Sequence, residues 1–211
     1  MTRKLPLIPT VIVVAAVATM LALGVWQYSK SGAKTALIAN YRAAAGKPAI
    51  AYPPLAPVPA EALFRRSSAL CLKVVGWQVE AGRSMDGKSG YRHIAQCSTG
   101  AEGPGLLADM GVSSDPAAKP SWTGGPVEGV ISTEPDHNSL VSRIFGRDVP
   151  LRPMLVADAA APGLAPSAKP SPEDVPNNHL SYAVQWFLFA IAASVIYVLA
   201  LRKRWREAPA P

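Results

Sequence analysis

The sequence predicts an α+β membrane protein in which two transmembrane helices, one at each terminus, flank a small β-rich periplasmic domain. Residues 5–26 and 179–201 predict the helices, because each holds an apolar block of about 20 residues, enough to cross roughly 30 Å of hydrocarbon. Residues 62–160 predict the domain, because the apolar period there falls to two and Gly and Pro recur at hairpin-like distances. A chain of 211 residues has room for one such domain.

The first apolar block begins close to the amino terminus, so a cleaved signal peptide is the alternative to a membrane helix. The block exceeds the roughly 7–15 apolar residues of a signal-peptide core, and a helical pattern continues after Trp26. We therefore expect an uncleaved helix. Residues 27–46 are predicted to continue it as a periplasmic helical extension, because they lack proline and end at Gly46, a residue typical of helix ends.

Most of the formal net charge of +7 lies beside the two apolar blocks. Arg3 and Lys4 precede the first block, and the basic tail 202–211 follows the second. Short positive flanks stay on the cytoplasmic side, whereas long loops are translocated largely regardless of charge. Both termini are therefore predicted to be cytoplasmic and the middle periplasmic, with a bacterial inner membrane as the simplest compartment. The lipid bilayer accounts for the basic balance, and no nucleic acid partner is expected.

Two proline-rich segments border the predicted domain. Residues 47–61 contain five prolines and are predicted to be a linker or an extended wrap over the domain, since proline disrupts helices and central strands. Residues 161–176 are predicted to be a second tether. The alternating pattern between them predicts strands at 69–79, 91–96, 105–110 and 127–132, with a fifth at 151–156. In the first strand Leu70, Leu72 and Val74 should share one face.

Residues 82–89 match the phosphate-loop pattern G-x-x-x-x-G-K-[ST]. That chemistry needs a buried strand before the loop and a helix that starts at the Lys-Ser pair and meets the phosphates. Here Gly90 and a predicted strand follow instead. The sequence therefore predicts a hairpin turn at this position and no nucleotide site.

The two cysteines, Cys71 and Cys97, lie 26 residues apart, in or beside two predicted strands. This spacing excludes a C-x-x-C redox pair, a C-x-x-C-H haem attachment site and a closely spaced copper-binding pair. Two alternatives remain open, a disulfide formed in an oxidising compartment or two inert buried cysteines. Both alternatives are structural.

No nucleophile constellation is present, since the chain lacks G-x-S-x-G, H-E-x-x-H and any close pair of histidines. His93 lies in a predicted strand, where a core or surface imidazole is the expected role. His137 lies in a segment with the composition of a turn. We therefore expect that this protein is not an enzyme.

His179 differs because it opens the second membrane helix. Asn177 or Asn178 is expected to cap the free amides of that helix. Helical spacing puts an imidazole, two aromatic rings and small residues on one face, made of His179, Tyr182, Ala183, Trp186, Ala190 and Ala193. A matching stripe of small residues on the first helix is formed by Ala15, Thr19 and Ala22.

Two interpretations of this face remain. In the first, His179 is a haem-iron ligand and the apolar slot covers the porphyrin. In the second, His179 is a polar anchor at the membrane interface within a packed helix pair. Spacing alone favours the second, because single interfacial histidines are common.

Two motifs resemble the signatures of the SURF1 family. The first is Leu-Gly-Val-Trp-Gln at 23–27, containing Trp26 and Gln27 and followed by Lys30 and Lys34. The second is Asn-Asn-His-Leu-x-Tyr-Ala-x-x-Trp-Phe at 177–187. The middle of the chain departs from the family, whose Val-Asn-Arg-Gly-Trp-Val-Pro segment corresponds to 108–113, where the glycine is kept and the Arg and Trp are lost.

The resemblance implies an assembly factor for haem-copper cytochrome c oxidase that assists delivery or insertion of haem a into the catalytic subunit. It implies haem a binding through His179. From the helix face described above, we expect Tyr182 and Trp186 to pack the ring and Asn177 and Asn178 to hold the helix end. The catalytic subunit is the expected partner and haem a synthase a candidate second one. The alternative is a membrane-anchored scaffold for oxidase assembly that binds no haem itself.

Overall fold

The computed structural model describes residues 5–100 and 105–207 and divides into two compact units. The first unit, here called the helical unit, contains 1–37 and 176–211, and the second, here called the sheet domain, contains 38–175. Arg3 and Lys4, and the last four residues of the basic tail, lie outside the described residues.

Two long helices carry the apolar blocks, α1 (Leu7–Ala45) and α3 (His179–Glu207). Their most apolar 18-residue windows have mean hydropathies of 2.4 and 2.2, so each is long and apolar enough to cross a membrane. The 39 residues of α1 span about 58 Å, roughly twice the hydrocarbon thickness. The helix therefore continues unbroken past its apolar block and through the residues predicted to form the helical extension.

The sheet domain contains one mixed seven-stranded sheet within its described residues. The strands in chain order are β1 (Ile50–Ala51), β2 (Arg66–Cys71), β3 (Lys73–Arg83), β4 (Ser89–Ser98), β5 (Leu106–Ser113), β6 (Gly125–Thr133) and β7 (Pro153–Ala157). Their order across the sheet is β1-β2-β6-β7-β5-β4-β3. The pairs β1–β2 and β5–β7 are parallel and the others antiparallel. A short helix, α2 (Leu140–Ile144), lies between β6 and β7.

The sheet curls until its two edge regions meet. Strands β2 and β3 are five places apart in the sheet order, about 24 Å across a flat sheet, yet only Leu72 separates them in the chain. The chain bends there, and the amide of Leu72 donates to the carbonyl of Ser98 at 2.9 Å. The single strand predicted at 69–79 is therefore wrong. Because of the bend, Leu70 and Leu72 are more than half exposed, while Val74 packs against the core.

A disulfide joins Cys71 at the end of β2 to Cys97 in β4, with both residues buried. The two Cα atoms lie 5.2 Å apart although their strands are not neighbours in the sheet order. The disulfide alternative is thus confirmed, and the curl of the sheet is the reason that the sulfurs meet.

The phosphate-loop match lies in a β-hairpin. Strands β3 and β4 are antiparallel with Gly82 opposite Gly90 and Arg83 opposite Ser89, and residues 84–88 form the turn. No helix follows. The predicted hairpin turn is confirmed, and its backbone lacks the strand-to-helix geometry that holds phosphates.

The two proline-rich segments are packed on the sheet domain. Strand β1 adds an edge strand from within the predicted linker 47–61, and the hydroxyl of Tyr52 donates to the carbonyl of Pro153 at 2.6 Å. In the predicted tether 161–176, Ala161 is buried and Ala165 forms a bridge with Val112. Prolines are compatible with both segments because an edge strand and an extended strap need few paired amides. The first segment lies along the sheet as an extended wrap, and the second packs on the sheet at Ala165.

Candidate functional site

The imidazole of His179 lies against α1 at the start of α3. Its Nδ1 is 2.7 Å from the side-chain oxygen Oε1 of Gln27. An amide oxygen can only accept, so Nδ1 donates and carries the ring proton. In the neutral imidazole this leaves the lone pair on Nε2. The two motifs that marked the ends of the chain therefore meet in the helical unit, and one nitrogen of the ring is free to bind a ligand.

Asn177 fastens the same end of α3 to α1. Its Nδ2 donates to Thr35 Oγ1 at 3.1 Å and to the carbonyl oxygen of Ser31 at 3.4 Å. Asn178 occupies the position before the helix, where its carbonyl accepts the first backbone hydrogen bond, from the Tyr182 amide at 3.2 Å. Of the two asparagines predicted as caps, Asn178 holds the cap position. The side-chain amide of Asn177 instead donates hydrogen bonds to the neighbouring helix α1.

Further along the helix pair the contact is made by Gly24 and Phe187. A Cβ atom on Gly24 would lie 2.6 Å from Cε1 of Phe187, so only glycine permits this approach. Ala183 and Ala190 are buried in the same contact face of α3. At the far end Thr10 Oγ1 and the Tyr197 hydroxyl are 2.5 Å apart.

The small stripe predicted on α1 is wrong. Ala15, Thr19 and Ala22 are exposed, and Thr19 donates to the carbonyl of Ala15 in its own helix. The buried positions of the helix include Gly24 and Ser31 instead. All these residues are small, so composition alone could not select which stripe faces α3, and a shift of one or two positions rotates a helix face by 100° or more.

Tyr182 and Trp186 lie at the side of this contact rather than within it. Tyr182 is half-exposed, and Trp186 is partly buried with its ring 6.2 Å from that of Phe189, edge to face. Of the motif residues on α1, Trp26 is half-exposed and Lys34 partly buried. The histidine and the two aromatic rings therefore share one side of α3, with the rings still accessible.

A buried polar cluster in the sheet domain was not predicted. Asp109 in β5 is almost fully buried, and its Oδ1 accepts from Ser167 Oγ at 2.6 Å and from the Gly111 amide at 3.2 Å. Burial raises the pKa of Asp109, against the opposing effects of these hydrogen bonds and of the Arg92 and His93 charges. The departure of 108–113 from the family pattern was the only sequence signal of this cluster.

The other two histidines have structural surroundings. His93 is fully buried in β4, with Nε2 3.3 Å from Ser113 Oγ. His137 is exposed and its Nε2 lies 3.2 Å from Glu80 Oε1. No group of three or more His, Cys, Asp or Glu side chains that could hold a metal ion occurs in 5–100 and 105–207. A metal held at His179 would thus lie outside any cluster of three such side chains in the described part of the chain.

The match to a family model decides the identity of the chain. The model of the SURF1 family matches residues 14–191, which include α1 from its first turns, the whole sheet domain and the first half of α3. The chain belongs to the SURF1 family. No curated protein shows significant sequence similarity to it.

SURF1-family proteins are known as oxidase assembly factors, so the coarse function of this chain is oxidase assembly. The members of this family are not known as enzymes. The matched region contains both the Gln27 motif and the His179 motif. Their hydrogen bond is therefore a contact between the two family signatures.

Proposed function

We propose that this SURF1-family protein assists delivery of haem a to the catalytic subunit of cytochrome c oxidase, with His179 as the iron ligand. The observation that carries the proposal is the 2.7 Å contact between His179 Nδ1 and Gln27 Oε1. Histidine ligands of metals almost always donate their other ring N–H to a fixed acceptor, which sets the tautomer and the ring orientation. Gln27 is such an acceptor.

The surroundings of His179 suit a flat apolar cargo. Tyr182 and Trp186 stand on the same side of α3 and keep ring surface accessible, so they would pack against the porphyrin. The iron would come with the haem, and the imidazole of His179 would be the ligand that this chain supplies to the iron. A single protein donor would hold the haem less firmly than two would, and this favours handing the cargo on over retaining it.

The proposed compartment is the periplasmic side of a bacterial inner membrane, with both termini cytoplasmic. The basic residues beside both apolar blocks support this orientation. The Cys71–Cys97 disulfide supports it independently, because disulfides persist in oxidising compartments such as the periplasm. The proposed partners are the catalytic subunit, as acceptor, and haem a synthase, as donor.

The test is the haem content of the full chain purified in detergent from cells that synthesise haem a. We expect a haem a spectrum in the natural protein and at least a tenfold lower haem content in His179→Ala, because the iron loses its only donor from this chain. His137→Ala is the matched control, since that imidazole is exposed in the loop that follows β6 in the sheet domain. It should keep the full haem content.

Equal haem content in His179→Ala and the natural protein would overturn the ligand assignment. If the natural protein binds no haem a even when titrated with it, the haem proposal is wrong. The scaffold hypothesis then remains, in which the helices and the sheet domain only hold the oxidase subunit. Co-purification of the catalytic subunit with His179→Ala separates the two functions. A scaffold keeps its partner without haem.

A further inference from the structure

The connection between β6 and β7 presents large apolar side chains to solvent. Within residues 138–149, here called the apolar loop, five such side chains are between 62% and 77% exposed, namely Leu140, Val141, Ile144, Phe145 and Val149. Helix α2, at the centre of the loop, buries none of its residues. Contiguous apolar exposure of this kind marks an interaction surface.

The loop is closed and ordered by its own hydrogen bonds. At its neck Asn138 Nδ2 donates to the carbonyl of Val149 at 3.0 Å, and the Val149 amide donates back to Asn138 Oδ1 at 2.9 Å. Ser139 caps α2 by accepting from the Ser142 amide at 3.1 Å. Gly146, with φ of +62°, ends the helix in the left-handed conformation. These hydrogen bonds hold the backbone of the apolar loop in a fixed conformation in which its apolar side chains face solvent.

The composition of the loop suits a lipid interface. Its charged residues are Arg143, Arg147 and Asp148, which sum to +1. Apolar side chains beside arginines are typical of segments that lie in the headgroup region, where the long Arg side chains reach the phosphates. Arg143 Nη2 also contacts Asp136 Oδ2 at 2.6 Å, and this exposed ion pair is easily exchanged for a phosphate contact.

The chain itself joins the sheet domain to a candidate membrane helix at each end. The sheet domain is continuous with α1 at its amino end and finishes at Val175, four residues before α3 begins at His179. Both helices are candidates to cross a membrane. A covalently tethered surface needs little intrinsic affinity, because tethering gives it a high effective concentration at the bilayer.

We propose that the apolar loop inserts into the interfacial layer of the bilayer that α1 and α3 cross. Its five apolar side chains enter the upper acyl region, and Arg143 and Arg147 lie among the lipid phosphates. The insertion gives the sheet domain a third attachment to the membrane, in addition to its two covalent connections to the helices. The proposal does not depend on haem binding.

The experiment uses the full chain in vesicles of phosphatidylethanolamine and phosphatidylglycerol. Because both native cysteines are in the disulfide, Ile144→Cys introduces a single thiol for a polarity-sensitive fluorophore. Lys88→Cys, in the exposed β3–β4 turn, is the control. We expect blue-shifted emission at 144, and quenching by lipids brominated high on the acyl chain that is severalfold stronger than at 88.

Emission at 144 equal to that at 88, without quenching by brominated lipid, would overturn the proposal. So would a blue shift at 144 that brominated lipid does not quench, since that shows a protein covering the loop. If the quenching is equal at both positions, the whole domain adsorbs and the loop has no special role. Ile144→Cys, at a highly exposed position, should leave the unfolding temperature in detergent unchanged, so reduced stability cannot explain its lipid contact.

Discussion

The side chain of Gln27 determines which nitrogen of His179 can bind a metal. Free imidazole exchanges its proton between two nitrogens, and a ligand then competes with the wrong tautomer. The Oε1 contact at 2.7 Å removes this competition because it accepts only from a protonated Nδ1. Gln27 thus acts as a positioning residue, within the proposed haem function.

Replacing Gln27 by Leu should therefore lower haem a affinity by about 10–100-fold, the usual cost of losing the partner of a metal-binding histidine. Spectroscopic titration of the full chain measures the affinity. Nitrogen-15 shifts of labelled imidazole, recorded without haem, should change from one Nδ1–H form to a mixture. Gln185→Leu, at an exposed position of α3, is the control and should change neither. A Gln27→Leu protein with unaltered imidazole shifts would refute the positioning role.

Asp109 should make stability depend on pH. Burial raises its pKa above the ordinary 3.8, so the folded state binds the proton more tightly than the unfolded state. The resulting stabilisation is complete below the ordinary pKa and is lost as the pH rises through the raised value. Asp109→Asn restores the residue of the family pattern and keeps a carbonyl oxygen as acceptor for Ser167. Because an amide does not titrate, the variant should not lose stability as the pH rises.

We expect Asp109→Asn to be more stable than the natural protein at neutral pH, by about 1 kcal/mol, with the difference disappearing under acid conditions. Urea unfolding across the acid and neutral range measures both effects. Asp86→Asn, in the exposed β3–β4 turn, serves as the reference. If Asp109→Asn is less stable than the natural protein at neutral pH, its charge stabilises the cluster and our account of the pKa is wrong.

At the scale of elements, the helix pair depends on one close approach. Gly24 brings α1 against the ring of Phe187, and hydrogen bonds hold the pair above and below this point. Apolar helices in a membrane gain little from hydrophobic association, so close packing and interhelical hydrogen bonds carry the contact.

Gly24→Ala should destabilise the helix pair by about 1–3 kcal/mol, because the added methyl group overlaps the Phe187 ring. Gly32→Ala is matched, since a Cβ there meets nothing within 4 Å, and it should stabilise α1 by up to about 1 kcal/mol. Thermal unfolding in detergent compares them. Adding Phe187→Leu should rescue Gly24→Ala, and a failure to rescue would assign the loss to another contact.

At the scale of the whole molecule, the curl of the sheet brings distant parts of the sheet domain together. It brings the end of β2 beside β4 and places Cys71 within reach of Cys97. The two proline-rich segments then close over the sheet through the Tyr52 and Ala165 contacts. The domain therefore has a cross-link between strands that are not paired.

Removing the disulfide with Cys71→Ser and Cys97→Ser should lower the free energy of unfolding by about 3 kcal/mol, the usual value for a loop of this length. Chemical denaturation of the full chain in detergent gives the difference. The natural protein under reducing conditions is the control and should lose a similar amount. A double variant as stable as the oxidised protein would show that the sheet alone holds the curl.

The sequence was sufficient for the two apolar helices, the hairpin at 84–88 and the family, because each rests on a local pattern. Helix length, turn composition and the two signature motifs require no knowledge of distant residues. The sequence also singled out His179 and Gln27, as members of separate motifs. It could not pair them, since they are 152 positions apart in the chain.

Tertiary structure alone decided which faces meet. It turned Gly24 and Gln27 towards α3 instead of Ala15, Thr19 and Ala22, bent the strand predicted at 69–79 and buried Asp109. Small residues occur on several faces of α1, so composition does not identify the face that contacts α3. The alternation of apolar and polar residues likewise continues through a bend as it does through a straight strand, so it does not reveal the bend at Leu72. These choices are made by contacts between segments far apart in the chain, which a local pattern does not encode.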